Sequence, residues 1–263
     1  MKALMRAALL AALLVPAVAL AQSAFDGTWK IDMGKANLPK KPDVFVLQNG
    51  MYDCKTCAPP ISVKADGTDQ PVKGYPYFDT LAVKVVDDHT VESTGKKAGK
   101  VVMTSTTSVT PDGQTAQVEF SDSSATNAAP MTGKATMTRV AKGVAGGHAL
   151  SGSWRTISYA GVSDNALTIT FREDAGNLSM STPMGQSYTA KVDGQEAPYR
   201  GDPGITTVTV KRQGKHGMVE TDLRDGKVVG VATMAVSPDG KSMNIAIDDK
   251  LHGTTSSFVA MKQ

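Results

Sequence analysis

The sequence predicts an all-β protein made of two tandem antiparallel β-barrel repeats. Three observations lead to this prediction: a long internal repeat, hydrophobic residues that alternate with a period of two, and turn motifs at short intervals between them. Together they indicate strands joined by hairpins, arranged in two copies of one module.

The internal repeat emerges when the chain is aligned with itself at an offset of 127 residues. Residues 64–67 (KADG) then match residues 191–194 (KVDG), and residues 109–113 (VTPDG) match residues 236–240 (VSPDG). Each copy spans about 115 residues, whereas solenoid repeats are about 20 to 50 residues long. The pattern therefore indicates a domain duplication.

The N-terminal segment has the features of a secretory signal peptide. Lys2 and Arg6 precede an apolar run over residues 7–20, and residues 19–21 (ALA) form a small-residue cleavage site. A run of about 14 apolar residues is too short to cross a bilayer. We expect cleavage of residues 1–21 and a periplasmic or secreted protein that does not span the membrane.

The remaining boundaries follow from the repeat and from a glycine-rich stretch. Residues 22–141 form the first β-barrel repeat, residues 142–147 the linker, and residues 148–263 the second β-barrel repeat. Removing the leader reduces 28 basic residues to 26, against 25 acidic ones. Without a clustered basic patch, the protein is not expected to bind nucleic acid.

Within each copy the strand signal is regular. Residues 167–172 (LTITFR) and 207–210 (TVTV) alternate apolar and polar side chains, and Asp-Gly or Pro-Asp-Gly turns separate such segments. We count about eight candidate strands per copy, which favours a closed barrel because closure removes exposed edges. Such a barrel has room for side chains or for one small ligand. A β-sandwich is the alternative architecture.

Two resemblances refine this prediction. Residues 25–30 (FDGTWK) resemble the first strand of the calycin barrels, the lipocalin and fatty-acid-binding-like proteins. That resemblance implies lipocalin-like repeats with Trp29 and Trp154 near their closed ends. Residues 71–76, 80–86, 90–92, 96–100 and 111–113 are similar to a duplicated module of uncharacterised exported bacterial proteins, which implies no particular activity.

Cys54 and Cys57 are the only cysteines, and several chemistries are weighed for them. A thioredoxin-type pair needs a helix N-terminus, a c-type haem needs His where Ala58 stands, and zinc needs four ligands. We therefore expect a local disulfide, and neither a metal nor a cofactor. The aligned residues of the second copy are Ser181 and Met184, so the pair is not part of the basic module.

The functional prediction rests on the barrel interiors. Small residues dominate many strands and aromatic residues make up only 5% of the chain, so we expect some cavity to remain. The candidate ligand-lining residues are Trp29, Trp154, Tyr75, Tyr77 and Phe78. The alternative is that the tryptophans plug the core and the Tyr75 cluster packs a loop over the barrel end.

Recognisable catalytic motifs are absent from the sequence: it has no nucleophile elbow, zinc-protease motif, phosphate loop or dinucleotide fingerprint. We predict an exported non-enzymatic protein that binds a small hydrophobic or amphipathic ligand in a β-barrel. The alternative is a cell-envelope structural or protein-interaction module. An exposed apolar patch would favour the second, and an enzyme would need convergent polar groups in a cleft.

Overall fold

The computed structural model describes residues 23–125 and 129–263. Within these ranges the chain forms two ten-stranded antiparallel sheets and one short helix. One sheet is a closed barrel and the other is nearly closed, which confirms the predicted all-β barrel class. The predicted signal peptide lies outside the described residues. No helix in the described part of the chain is long and apolar enough to cross a membrane.

The strands of the first half alternate with short turns. They are β1 (Gly27–Asn37), β2 (Asp43–Gln48), β3 (Met51–Cys54), β4 (Ile61–Lys64), β5 (Gln70–Pro71), β6 (Thr80–Val85), β7 (Thr90–Lys97), β8 (Lys100–Val109), β9 (Thr115–Asp122) and β10 (Met131–Lys142).

The second half repeats this order, with one helical turn inserted. Its elements are β11 (Gly152–Ala160), α1 (Asp164–Leu167), β12 (Thr168–Asp174), β13 (Asn177–Ser181), β14 (Ser187–Lys191), β15 (Asp193–Arg200), β16 (Thr207–Gln213), β17 (Gly217–Arg224), β18 (Lys227–Val236), β19 (Ser242–Asp249) and β20 (Thr254–Lys262).

The two repeats exchange their first strands. Strand β1 pairs with β12 and β20, so it completes a barrel otherwise built from β12–β20, which we name the closed barrel. Strand β11 pairs with β2 and β10, and with β2–β10 it forms the open barrel. Each sheet therefore has ten strands, nine from one repeat and one from the other, rather than about eight from a single repeat.

This exchange differs from the expectation that each repeat closes its own barrel. The chain crosses between the barrels after Asn37 and again after Ala160. The physical reason is that a period-two pattern specifies which face of a strand is buried, and not which of two similar neighbours it pairs with. Because the repeats are alike, both pairings satisfy the same pattern.

The open barrel lacks one pairing that the closed barrel has. Strands β4 and β5 are not hydrogen-bonded to each other, whereas their counterparts β14 and β15 pair at Ser187–Arg200 and Tyr188–Tyr199. After β4 the chain turns towards β6, where Gly67 N donates to Val83 O at 2.8 Å. The open barrel therefore has no hydrogen-bond ladder between β4 and β5.

The two tryptophans plug one end of each barrel. Trp29 in the closed barrel and Trp154 in the open barrel are both 0% exposed. Each indole Nε1 donates at 2.8 Å to a backbone carbonyl four residues earlier, that of Phe25 or Leu150. Trp29 lies near the start of β1, at the opposite end of the strand from Asn37, where the chain crosses between the barrels.

Candidate functional site

The interior of the closed barrel changes character along its length. Its lower part, around Trp29, is a floor of buried apolar side chains. They include Phe25, Phe171, Leu178, Met218 and Met243. Its upper part contains two carboxyl groups and two phenols, from Glu220, Asp222, Tyr188 and Tyr199.

Strand β17 places both carboxyl groups inside the barrel. Alternate residues of a strand share a face, and Met218 on this face is fully buried in the floor. Glu220 and Asp222, two and four residues further on, therefore also face inwards. A β-bulge between Asp222 and Leu223 interrupts the alternation, and Leu223 is buried.

A hydrogen bond and a close electrostatic interaction connect three of these groups. Tyr188 Oη donates to Glu220 Oε2 at 2.5 Å. Glu220 and Asp222 lie close enough for each carboxyl group to shift the pKa of the other. Asp222 Oδ1 is buried and has no hydrogen-bond partner among the described residues. One carboxylate oxygen inside the barrel is thus left unsatisfied.

Burial raises the pKa of both carboxyl groups. Loss of solvent raises the pKa of Glu220 to about 8, and the neighbouring Asp222 acts in the same direction. Loss of solvent also raises the pKa of Asp222 to about 6, against the opposing hydrogen bond from Glu220. Burial, and then the Glu220 charge, raise the pKa of Tyr188 and of Tyr199.

Accessible surface remains inside this end of the barrel. Tyr199, Glu220 and Asp222 are only partly buried, as are the apolar residues Ile31 and Ile247 that pack against the core. Since these side chains face the interior of a closed barrel, their partly exposed surfaces face inwards. We name the interior region that they border the upper chamber. It is lined by Ile31, Tyr188, Tyr199, Glu220, Asp222 and Ile247.

A tyrosine from the open barrel lies at the mouth of the upper chamber. Tyr77, between β5 and β6, donates through Oη to Asp202 Oδ1 at 2.9 Å. Asp202 Oδ2 accepts a hydrogen bond from Gln186 Nε2 at 3.1 Å. Gly204 is in contact with the Tyr77 ring, and a Cβ at that position would collide with Oη. The absence of a side chain at Gly204 therefore allows the two barrels to meet here.

The predicted lining residues are distributed over three places. Trp29 and Trp154 lie at the closed ends, and Tyr77 lies at the mouth of the upper chamber. Phe78 is buried in the core of the open barrel, and Tyr75 stacks on it with ring centroids 4.8 Å apart. Of this set, Tyr77 is linked to the carboxyl pair indirectly, through Asp202, whose charge raises the pKa of Asp222.

Sequence reasoning missed Glu220 and Asp222. The aligned residues of the first copy are Ser93 and Gly95, so the carboxyl pair belongs to one repeat only. Two acidic residues at alternate positions of a strand whose other inward residues are apolar were a signal of a buried polar site. That signal becomes specific only when the buried face of the strand is known.

The cysteine prediction is confirmed, since Cys54 and Cys57 form a disulfide. It lies at the end of β3, and Cys54 is buried in the open barrel. In the described parts of the chain, no group of three or more His, Cys, Asp or Glu side chains is arranged to hold a metal ion.

Comparison with protein-family models, with curated proteins and with solved structures found no match to this chain. The resemblance to calycin barrels and to exported bacterial modules stays a prediction. The upper chamber is therefore the basis for the functional proposal.

Proposed function

We propose that this chain is an exported, non-enzymatic protein that holds a small hydrophobic or amphipathic molecule in the upper chamber of the closed barrel. The observation that carries the proposal is Asp222 Oδ1, a buried oxygen without a partner. Buried polar groups are nearly always hydrogen-bonded, and an unsatisfied one costs about 1–3 kcal/mol. A ligand that donates a hydrogen bond there removes this cost.

The shape of the interior supports an amphipathic ligand. Ile31 and Ile247 offer apolar surface beside the floor, while Glu220 and Asp222 offer acceptors on β17. A compact molecule with an apolar body and one polar head satisfies both regions at once. Such a pairing of an apolar lining with a few placed polar groups is typical of small-molecule sites.

The exported location is part of the proposal. Disulfides form and persist in oxidising compartments, and Cys54 and Cys57 are joined by one. This agrees with the secretory features of residues 1–21. A periplasmic or secreted binding protein accounts for both observations.

A titration with the neutral fluorescent probe N-phenyl-1-naphthylamine tests the proposal. Gly230 lies opposite Asp222 in the β17–β18 pair, and a Cβ there meets only Asp222 Oδ2, at 3.6 Å. Gly230→Met therefore adds a side chain beside Asp222, and its Cβ meets no backbone atom. The matched control is Val228→Met on the same strand, at a position that is 44% exposed.

We expect saturable binding of one probe by the wild type and by Val228→Met. Gly230→Met should weaken the affinity at least about tenfold, equivalent to about 1.4 kcal/mol. Mass spectrometry should recover the probe chemically unchanged. The proposal fails if the wild type gives no saturable response, or if Gly230→Met binds as well as the control.

A further inference from the structure

We infer that the upper chamber selects an organic cation, namely a compact amphipathic amine whose ammonium group sits against Glu220 and Asp222. This inference rests on the proposed function and narrows it to one chemical class of ligand. It starts from the charges that surround the two carboxyl groups.

The carboxyl pair has no counter-charge among the described residues. No Lys, Arg or His side chain of the described chain forms an ion pair with Glu220 or Asp222. Charges buried in proteins are normally paired, because an isolated one is costly to desolvate. A cation supplied by a ligand provides the missing partner.

The groups that face the pair from neighbouring strands carry no positive charge either. Tyr188 on β14 and Tyr199 on β15 are phenols, and their burial raises both pKa values, so they stay neutral. Asp202, in the loop after β15, adds a further negative charge that raises the pKa of Asp222. Arg224 lies beyond the bulge on β17, and its charge acts on Tyr77 at the mouth.

The donor and acceptor balance also favours an ammonium head. An ammonium has three donors and no acceptor, whereas a carboxylate has only acceptors when ionised. The unpartnered Asp222 Oδ1 and the remaining lone pairs of Glu220 match this donor set. The rings of Tyr188 and Tyr199, with centroids 5.8 Å apart, add faces that attract cations. A fatty-acid carboxylate would instead add a like charge.

Cation binding should release protons. Burial raises the pKa of both carboxyl groups, and with a pKa of about 8 Glu220 keeps its proton at neutral pH in the empty site. An ammonium stabilises the ionised carboxylates and lowers those pKa values. Affinity for the amine should therefore rise with pH between about 5 and 8, a range in which an alkylammonium with a pKa near that of Lys keeps its charge.

The test compares three probes of equal chain length: octylamine, octanol and octanoate. For the wild type we expect octylamine to bind about tenfold or more tightly than octanol, and octanoate to bind least. Calorimetry at pH 7 in two buffers of different ionisation enthalpy should detect proton release with octylamine and none with octanol.

Two variants and a control connect the selectivity to the pair. Asp222→Asn and Glu220→Gln should reduce the preference for octylamine over octanol to about twofold. Glu92→Gln is the control, since Glu92 on β7 has a 49% exposed side chain that faces Lys84. It should keep the wild-type preference.

The order of the wild-type affinities for octylamine, octanol and octanoate tests the inference by itself, even if a variant does not fold. Equal binding of octylamine and octanol, or tightest binding of octanoate, overturns the cation inference and leaves the proposed function standing. If none of the three probes binds and N-phenyl-1-naphthylamine gives no response, both proposals fail.

Discussion

The two barrels fill corresponding positions of their interiors in opposite ways. In the open barrel, Gly95 lies opposite Met103, and a Cβ on Gly95 would lie 3.2 Å from Met103 Cε and 3.6 Å from Phe78 Cβ. In the closed barrel the aligned pair is Asp222 opposite Gly230. In the open barrel the larger residue of the pair is Met103 on β8. In the closed barrel the larger residue is the acidic Asp222 on β17, and the glycine lies on β18.

This difference shows how a duplicated fold can divide its tasks. The open barrel places Met103 and buried Phe78 where the closed barrel keeps the upper chamber. Close packing of this kind stabilises a core, whereas buried carboxyl groups without a counter-charge destabilise one. We therefore expect the closed barrel to be the ligand-binding half and the open barrel to be the structural half.

The largest expected effect comes from breaking the exchanged strands at their tryptophans. Trp29→Ala should destabilise the protein by about 3–5 kcal/mol, as is usual for a buried aromatic residue. Because β1 lies in the closed barrel, hydrogen exchange should accelerate in β12–β20 rather than in β2–β10. Trp154→Ala is the reciprocal variant, with faster exchange in β2–β10.

The outcome that contradicts the exchanged topology is specific. If Trp29→Ala released protection mainly in β2–β10, strand β1 would belong to the barrel of its own repeat. Hydrogen exchange is measured under native conditions, where the opening of one barrel can be distinguished from unfolding of the whole chain.

A smaller effect should appear in the pH dependence of stability. A carboxyl group whose pKa is higher in the folded than in the unfolded state binds more protons when folded, so stability falls as pH rises between the two values. For Glu220 that interval runs from about 4, the ordinary value, to about 8. Glu220→Gln should therefore reduce the loss of stability between pH 5 and pH 8 by at least about 1 kcal/mol.

Thermal unfolding of the wild type, Glu220→Gln and the control Glu92→Gln at both pH values measures this effect. Glu92→Gln should follow the wild type. Identical pH slopes for the wild type and Glu220→Gln would mean that Glu220 is not a proton-holding group of the closed barrel. The open barrel has Ser93 at the aligned position, so we expect no corresponding titration there.

The smallest effect is expected from the disulfide. Cys54 and Cys57 are separated by three positions, so their bond closes a very short loop. Replacing both with Ser should lower the free energy of unfolding by about 2 kcal/mol or less. The closed barrel has Ser181 and Met184 at the aligned positions and keeps a complete ladder there. Failure of the double variant to fold, seen by circular dichroism, would contradict this.

Much of the fold follows from local patterns in the chain. The alternation in residues 207–210 predicts the strand β16, and the turn at residues 238–240 predicts the hairpin between β18 and β19. The Cys54–Cys57 disulfide follows from spacing and composition. These features depend on neighbours a few residues apart, which is the range over which side-chain periodicity and turn conformation act.

The strand exchange and the upper chamber depend on contacts that no local pattern contains. Trp29 pairs with Ile169 and Lys262, at sequence separations of well over 100 residues, although its own repeat offers an equivalent place. Glu220 meets Tyr188 only because β14 and β17 face the same barrel interior. A period-two pattern is satisfied equally by either arrangement, since it specifies burial and not partners. Barrel closure and the packing of the two halves make that choice.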